Sequence, residues 1–380
     1  MKFNKSTVNV ADFLYLFAYF LFIFQSMIRW VTIDGISFII RACNLMIPII
    51  LLFVFYVKNN KIKKNNLLVI IILTIFTFIS MKITEGTAIW NLILFVISAR
   101  EINLKKVIKF DMITKSIIMV IIYLLYLNGL TENVIIFRDE YISRYSFGFG
   151  HPNTFSVYLM SVCLDFLYLT FDTKYKKISY IFIILSILFI YTFCNSRSSI
   201  YTLILVLLFS FVIPLIKNNK VAKFSLSNLP FIFMILSFGL TIMYKYKKVF
   251  TFMVSLNEVL SNRIFLMSEF YNRYSISLFG NLFIDYNTHS TSTSSVLDNA
   301  YMLLLIKFGI IITFILLYAI SKRVRKGLDE KNFAIAICLT AFVFFGLMEN
   351  GMIILFYNPF LLFLADLIFK KNKEVKINEN

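Results

Sequence analysis

The sequence predicts an all-α integral membrane protein, and three observations predict it. Hydrophobic residues make up 59% of the 380-residue chain and aromatic residues 18%, with a mean hydropathy of +0.81. A water-soluble domain has too little interior for that much apolar surface. Apolar runs of about the 20 residues that a transmembrane helix requires recur from Ala11 to Phe369. Cationic residues cluster in alternate loops, as the positive-inside tendency demands.

Twelve segments are expected to cross: 11–28, 36–57, 67–81, 88–99, 112–130, 153–171, 178–194, 199–216, 229–243, 297–320, 333–348 and 352–369. The 88–99 segment is too short to cross upright, so it is either re-entrant or shielded from lipid by its neighbours. Alternate loops carry Lys58, Lys61, Lys63 and Lys64, then Arg100, Lys105, Lys106 and Lys109, then Lys174, Lys176 and Lys177. The same side takes Lys217, Lys220 and Lys223, then Lys322, Arg323, Arg325, Lys326 and Lys331, then Lys370, Lys371, Lys373 and Lys376. With Lys2 and Lys5 these are 25 of the 38 Lys and Arg residues, so both termini are expected to be cytoplasmic.

The chain reads as one polytopic domain over 1–380, with residues 244–296 as a large extracytoplasmic loop. The first apolar run is followed by Arg29 and Trp30 rather than by small residues, so it is expected to stay as a helix and not to be cleaved. Cys43, Cys163, Cys194 and Cys338 lie in or at the ends of spans without metal-ligand spacing. They read as small packing residues, with no metal and no disulfide framework expected. The net charge of +18 is a topology signal and an attraction to anionic membrane lipids, and no basic module separate from the helices points to nucleic acid. Arg41, Asp165 and Lys307 fall within spans, where ionisable groups indicate pairing or function, and Asp165 with Lys307 is the candidate pair.

Ten cations remain outside, and they include six of the ten arginines: Arg29, Arg138, Arg144, Arg197, Arg263 and Arg273. Arginines held outside against the charge bias point to an anion such as a phosphate or an acidic glycan. Arg144, Arg197 and Arg263 come from three separate outer loops and are expected to converge on one.

Four stretches surround these arginines. Residues 138–153 read RDEYISRYSFGFGHPN, a shaped approach to a helix opening at Pro152, where His151 serves as a substrate ligand, a proton shuttle or a cap. Asn195 to Ser199 form a polar turn at the next helix start, suited to an anion by its unpaired N–H groups. In the long loop Leu260, Ile264, Met267, Tyr271, Tyr274 and Leu278 form an apolar stripe at helical spacing, an amphipathic helix with Arg263 and Arg273 on its other faces. A hydroxyl-rich stretch, 288–295, holds His289 and leads to Asp298, Asn299 and Tyr301 at the mouth of a long apolar helix. Asp298 there serves as a cap or as a catalytic group. Glu349, in the turn before Asn350 and Gly351, is a further candidate for acceptor binding or for a base.

Arg144 with FGFGHPN, the turn CNSRSSI, the stretch from SNRIFLMSEF to SLFGN, and LDNAYMLLLIKFG together resemble the O-antigen polymerase and ligase superfamily, the Wzy- and WaaL-like membrane glycosyltransferases. The resemblance covers about residues 140 to 310. It implies a GT-C-like architecture in the bacterial cytoplasmic membrane and a polyprenyl-diphosphate-linked oligosaccharide as donor on the outer face. It implies no cofactor and no metal, with a chain-length regulator and a flippase as partners besides the membrane lipids. Ligases of the superfamily carry a histidine before the asparagine that opens the helix after the long loop, and this chain has Asp298 there, which favours a polymerase. The resemblance then makes His289 and Asp298 the candidate bases. Arg144, His151, Asn153, Arg197, Arg263, Arg273, Asn299 and Glu349 become the candidate diphosphate and glycan ligands. A ligase-type transferase and a flippase or transporter of lipid-linked glycan are the alternatives.

Overall fold

The computed structural model describes residues 5–29, 35–58, 62–131, 134–138, 142–246, 250–283 and 297–369. His289 and the rest of the hydroxyl-rich stretch 288–295 lie outside the described residues. The chain is a helical, multi-pass membrane protein with one small β-hairpin among the described residues.

Helices α1 (Lys5–Ile28), α2 (Ile36–Lys58), α3 (Lys64–Thr84), α4 (Ala88–Ser98) and α5 (Leu104–Leu127) precede the hairpin β1 (Ile135–Arg138) and β2 (Ile142–Tyr145). The strands are antiparallel, with Ile136 opposite Arg144. Next come α6 (Pro152–Thr170), α7 (Lys176–Phe189) with a terminal π turn at Ile190–Cys194, α8 (Arg197–Leu215), α9 (Lys220–Ser227) and α10 (Leu229–Lys245). The long loop contributes α11 (Phe250–Val259) and α12 (Arg263–Arg273). The last part comprises α13 (Ala300–Leu303), a π turn at Leu304–Phe308, α14 (Gly309–Asp329), α15 (Phe333–Phe345), 3-10 turns at Asn350–Ile353 and Pro359–Leu364, and α16 (Ala365–Ile368).

Among the described residues seven helices are long and apolar enough to cross a membrane, or eight if α9 and α10, bent by 51° at their junction, form one span. The other four expected segments are α4, α6, α15 and the interrupted run that ends in α16. Helix α6 is long enough but carries buried Ser156, Ser161 and Asp165. The remaining three are short, and their positions explain how they are tolerated. Every residue from Asn91 to Ser98 of α4 is buried, and α15 is buried almost throughout. Tyr15 donates to the carbonyl of Phe95 at 3.2 Å and Ser98 to that of Leu51 at 2.9 Å, fixing α4 between α1 and α2. A short helix at membrane depth is stable only where protein rather than lipid surrounds it. The 88–99 segment is thus covered by its neighbours.

The long helices form the outer layer. Leu52 and Tyr56 of α2, Leu68 and Ile75 of α3, Val120 of α5, Leu185 of α7, Leu208 of α8 and Ile235 of α10 are exposed, a belt of apolar side chains suited to lipid. Of Arg41, Asp165 and Lys307, only Asp165 is buried; Arg41 is exposed and Lys307 sits over the Phe283 ring. Lys115 of α5, also within an expected span, is buried and pairs with Asp111 one turn earlier at 2.5 Å and donates to Ser161 at 2.8 Å, while Tyr19 donates to Asp111 at 2.8 Å. Asp165 lies beside this group, not in a pair with Lys307.

The loop's amphipathic helix packs on protein. Ile264, Met267 and Phe270 of α12 are buried with Leu297, Met302 and Leu305, and α10 covers it. The helix ends at Arg273, so Leu278 is exposed instead of continuing the stripe. Residues 277–281 then enter the break at Gly309. The carbonyls of Ser277 and Leu278 accept from the N–H groups of Ile310 and Ile311 at 3.0 and 3.2 Å, and Asn281 N–H donates to the Lys307 carbonyl at 3.0 Å. Only glycine permits this contact. Gly280 has φ of +100°, and a Cβ there would lie 2.0 Å from the Lys307 carbonyl oxygen. Gly309, with φ of +84°, would place a Cβ 2.4 Å from the Gly280 nitrogen.

Gly280→Ala and Gly309→Ala are each expected to cost about 2–4 kcal/mol, from left-handed strain plus overpacking. The loss should appear as a lower thermal unfolding midpoint of the purified protein. Gly239→Ala, where nothing lies within 4 Å of an added Cβ, should leave the midpoint unchanged or slightly raised.

Candidate functional site

At one end of the bundle four separate segments meet around the carboxylate of Glu349. The first is the hairpin and the start of α6. Phe147 seats its ring among Phe155, Phe189 and Tyr145, which anchors the chain just after β2. Arg144, buried on β2, then reaches across to the Cys194 carbonyl at 2.9 Å through Nε and to Asn153 Oδ1 at 2.5 Å through Nη2. His151 is the N-cap of α6, with Nδ1 accepting from the Asn153 N–H at 3.1 Å and Pro152 at the first helical position. Asn153 is thereby held at both ends and donates through Nδ2 to Glu349 Oε1 at 3.1 Å.

The second segment is the turn between α7 and α8. The π turn ends at Asn195, which takes a left-handed conformation with φ of 45°, and α8 opens at Arg197. Ser198 is buried and donates to Glu349 Oε1 at 3.0 Å. Arg197 is exposed and makes no hydrogen bond or ion pair among the described residues.

The third segment is the elbow between α11 and α12. Asn257 accepts from the Phe265 N–H at 2.9 Å and donates to Asn262 Oδ1 at 2.9 Å, and the left-handed Asn262 directs the chain into α12. Arg263 begins that helix. Its Nη2 meets Glu349 Oε1 at 3.1 Å, and its Nε lies 3.9 Å from Asp298 Oδ2.

The fourth segment holds Asp298 and Asn299 against the turn after α15. Asn299 caps α13 by accepting from the Tyr301 and Met302 N–H groups, and it donates to Ser237 Oγ at 3.0 Å and to the Leu347 carbonyl at 3.1 Å. The side chain of Asn299 is thus fully used, and its bond to Leu347 ties the start of α13 to the turn that presents Glu349.

The electrostatics follow from this enclosure. The Glu349 carboxyl is pushed up to about 7, first by burial and then by the charge of Asp298, against the opposing pull of Arg263, the Ser198 hydrogen bond and Arg144. Burial also raises Asp298, with Arg263 opposing. His151 is pushed down to about 4 by burial and by Arg144, so near neutral pH it is an uncharged cap. The three hydrogen bonds that Glu349 accepts among the described residues all fall on Oε1. Oε2 is left uncommitted.

The structure therefore joins Arg144, His151, Asn153, Arg263, Asp298, Asn299 and Glu349 in one connected arrangement. Arg197 is adjacent through Ser198 and is exposed. Arg273 is apart, paired with Glu269 at 2.7 Å on the exposed side of α12. His289 lies outside the described residues. Ser198 and the Cys194 carbonyl were not singled out from sequence, although CNSRSSI contains both; nothing in a serine-rich turn distinguishes the hydroxyl that turns inward. Compared with known proteins, the chain matches no family model, no curated protein and no solved structure.

Because the folded Glu349 carboxyl lies above its ordinary 4.5, its ionisation costs stability. The protonated form's contribution is complete below about 4.5 and is lost as pH rises through about 7. Infrared difference spectra between the wild type and Glu349→Gln should show a carboxyl titrating near pH 7. Asp298→Asn removes the charge that raises it, so the midpoint should fall. A wild-type midpoint near 4.5 would show that the enclosure does not hold the proton.

Proposed function

We propose that the chain is a polymerase of lipid-linked oligosaccharide repeat units. It transfers a growing glycan from polyprenyl diphosphate to the incoming repeat unit on the outer face of a bacterial cytoplasmic membrane. In this reading all twelve apolar segments count as crossings, both termini are cytoplasmic, and the Glu349 cluster faces outward. The observation that carries it is the uncommitted Oε2 of Glu349, whose Oε1 is held by Ser198, the residue next to the exposed Arg197 at the start of α8.

The chemistry divides between those two groups. Arg197 and the unpaired N–H groups at the start of α8 bind the donor's diphosphate, where the helix end adds partial positive charge. Glu349 Oε2 accepts the proton of the acceptor hydroxyl as that oxygen bonds to the anomeric carbon. The bond from the anomeric carbon to the diphosphate oxygen breaks, and the lipid diphosphate departs with the electron pair. A carboxyl titrating near 7 is well matched to general-base work at neutral pH. Asn153, Ser198 and Arg263 keep Oε1 occupied and so orient Oε2, while Arg144 positions Asn153. Asp298 tunes Glu349 in this scheme. Glu349 therefore takes the role of base first assigned to His289 or Asp298.

Deletion of the gene is expected to leave single lipid-linked repeats. Unattached polymer would indicate a ligase instead, and precursors trapped on the inner face a flippase. In complementation, Glu349→Gln should lower polymer formation by about 10²–10⁴-fold, the usual scale for loss of a general base. Arg197→Lys keeps the charge but loses the two-pronged donor and should cost about tenfold. Arg273→Lys should behave as wild type, because Arg273 faces away with Glu269. Wild-type polymer from Glu349→Gln would overturn the assignment.

A further inference from the structure

A second polar cavity lies at the other end of the bundle. Helix α15 marks the separation: Glu349 follows its last turn, whereas Asn332, at its N-cap, lines this cavity. The cleft has a volume of about 790 Å³, within the range of small-molecule sites. It is framed by the start of α3, the turn between α4 and α5, the last turns of α14, and the segment from Phe363 to Phe369.

Five cations line it, Lys63, Arg100, Lys105, Arg323 and Lys326, against three carboxylates, Glu101, Glu330 and Asp366. The carboxylates do not use up the cationic donors. Arg323, 1% exposed, donates through Nε to the Phe363 carbonyl and through Nη2 to Asp366, each at 3.2 Å, and its Nη1 is buried with no hydrogen-bond partner among the described residues. Arg100 lies 3.6 Å from Glu101 through Nε, and its Nη1 is likewise buried without a hydrogen-bond partner among the described residues. Lys326 donates to the Asp366 carbonyl at 3.0 Å and lies 3.9 Å from Glu330. A buried donor without an acceptor is costly, and two guanidinium donors in one cleft call for a multi-oxygen anion.

We infer that this cleft binds a phosphate-bearing anion. Arg100 and Arg323 are the guanidinium donors, and Lys63, Lys105 and Lys326 supply further positive charge. The apolar side of the lining, with Ile62, Leu104, Ile335 and Phe369, suits the chains beside an anionic lipid headgroup, while a soluble phosphate would use the donors alone.

The test uses the full chain in non-ionic detergent, titrated separately with phosphatidylglycerol, phosphatidylcholine and inorganic pyrophosphate. Thermal unfolding and native mass spectrometry supply the readouts. Phosphatidylglycerol should bind and raise the unfolding midpoint, and phosphatidylcholine should do neither. A rise with phosphatidylglycerol alone assigns the site to a lipid headgroup, and a rise with pyrophosphate as well assigns it to the phosphate group itself. The double substitution R100Q/K326Q should weaken the apparent affinity by about fivefold per cation removed. Should it fail to fold, the pair K63Q/K105Q tests the same cleft with the same expectation per cation. No stabilisation by either anion, or unchanged affinity in the folded double variant, overturns the inference.

Discussion

In hydrocarbon every backbone N–H and C=O must find its partner inside the protein, and the layering of this chain follows from that requirement. Long apolar helices satisfy their own backbone and face outward. The pieces that cannot span alone, α4, α15 and the interrupted segment ending in α16, lie within. The break at Gly309 obeys the same rule, because the amides freed there are taken by Ser277 and Leu278. The loop thus serves as a splint for the helix it interrupts, and two glycines separated by 28 intervening residues become one contact.

The same requirement creates the site. Helix α15 has 13 residues, a length of about 20 Å against a hydrocarbon thickness of about 30 Å. A short inner helix within a taller ring of helices leaves one of its turns recessed, and Glu349 is on such a turn. Recession explains the proton affinity of this carboxyl better than any single neighbour does. Three donors stabilise its charge, yet loss of solvent and the nearby Asp298 outweigh them. Asp298 shares Arg263 with Glu349, and its charge adds to the effect of burial in raising Glu349.

Composition and charge alternation were enough to reveal the membrane class, and the positions of the long helices agree with the apolar runs to within a few residues at most ends. The motifs around Arg144, Asn153, Arg263 and Glu349 also pointed to residues that prove to be joined. What sequence did not reveal is direction. The hairpin was hidden because Ile135 to Arg138 and Ile142 to Tyr145 are too short for alternation to register. The stripe on α12 was legible, but not its cover, since an apolar face fits the membrane interface and a neighbouring helix equally well. The Asp111–Lys115 pair sits at a spacing that elsewhere marks a solvated helix face, and only the packing of α1 and α6 shows it to be interior.

Direction also divides the arginines. A guanidinium offers five donors in a fixed plane, so it can brace backbone carbonyls and side chains from several elements at once. Arg144 does so between the hairpin, the end of α7 and the start of α6, and its burial spends the donors that an outer ligand would need. Arg263 is intermediate, bound to Glu349 yet only partly covered. Arg197 has the same chemistry with none of these partners, and the difference is one of helical phase. At the start of α8 Ser198, Ser199 and Ile200 are buried, whereas Arg197 is exposed. An outer arginine is therefore informative about a ligand only after its neighbours show which side of the helix has already been filled.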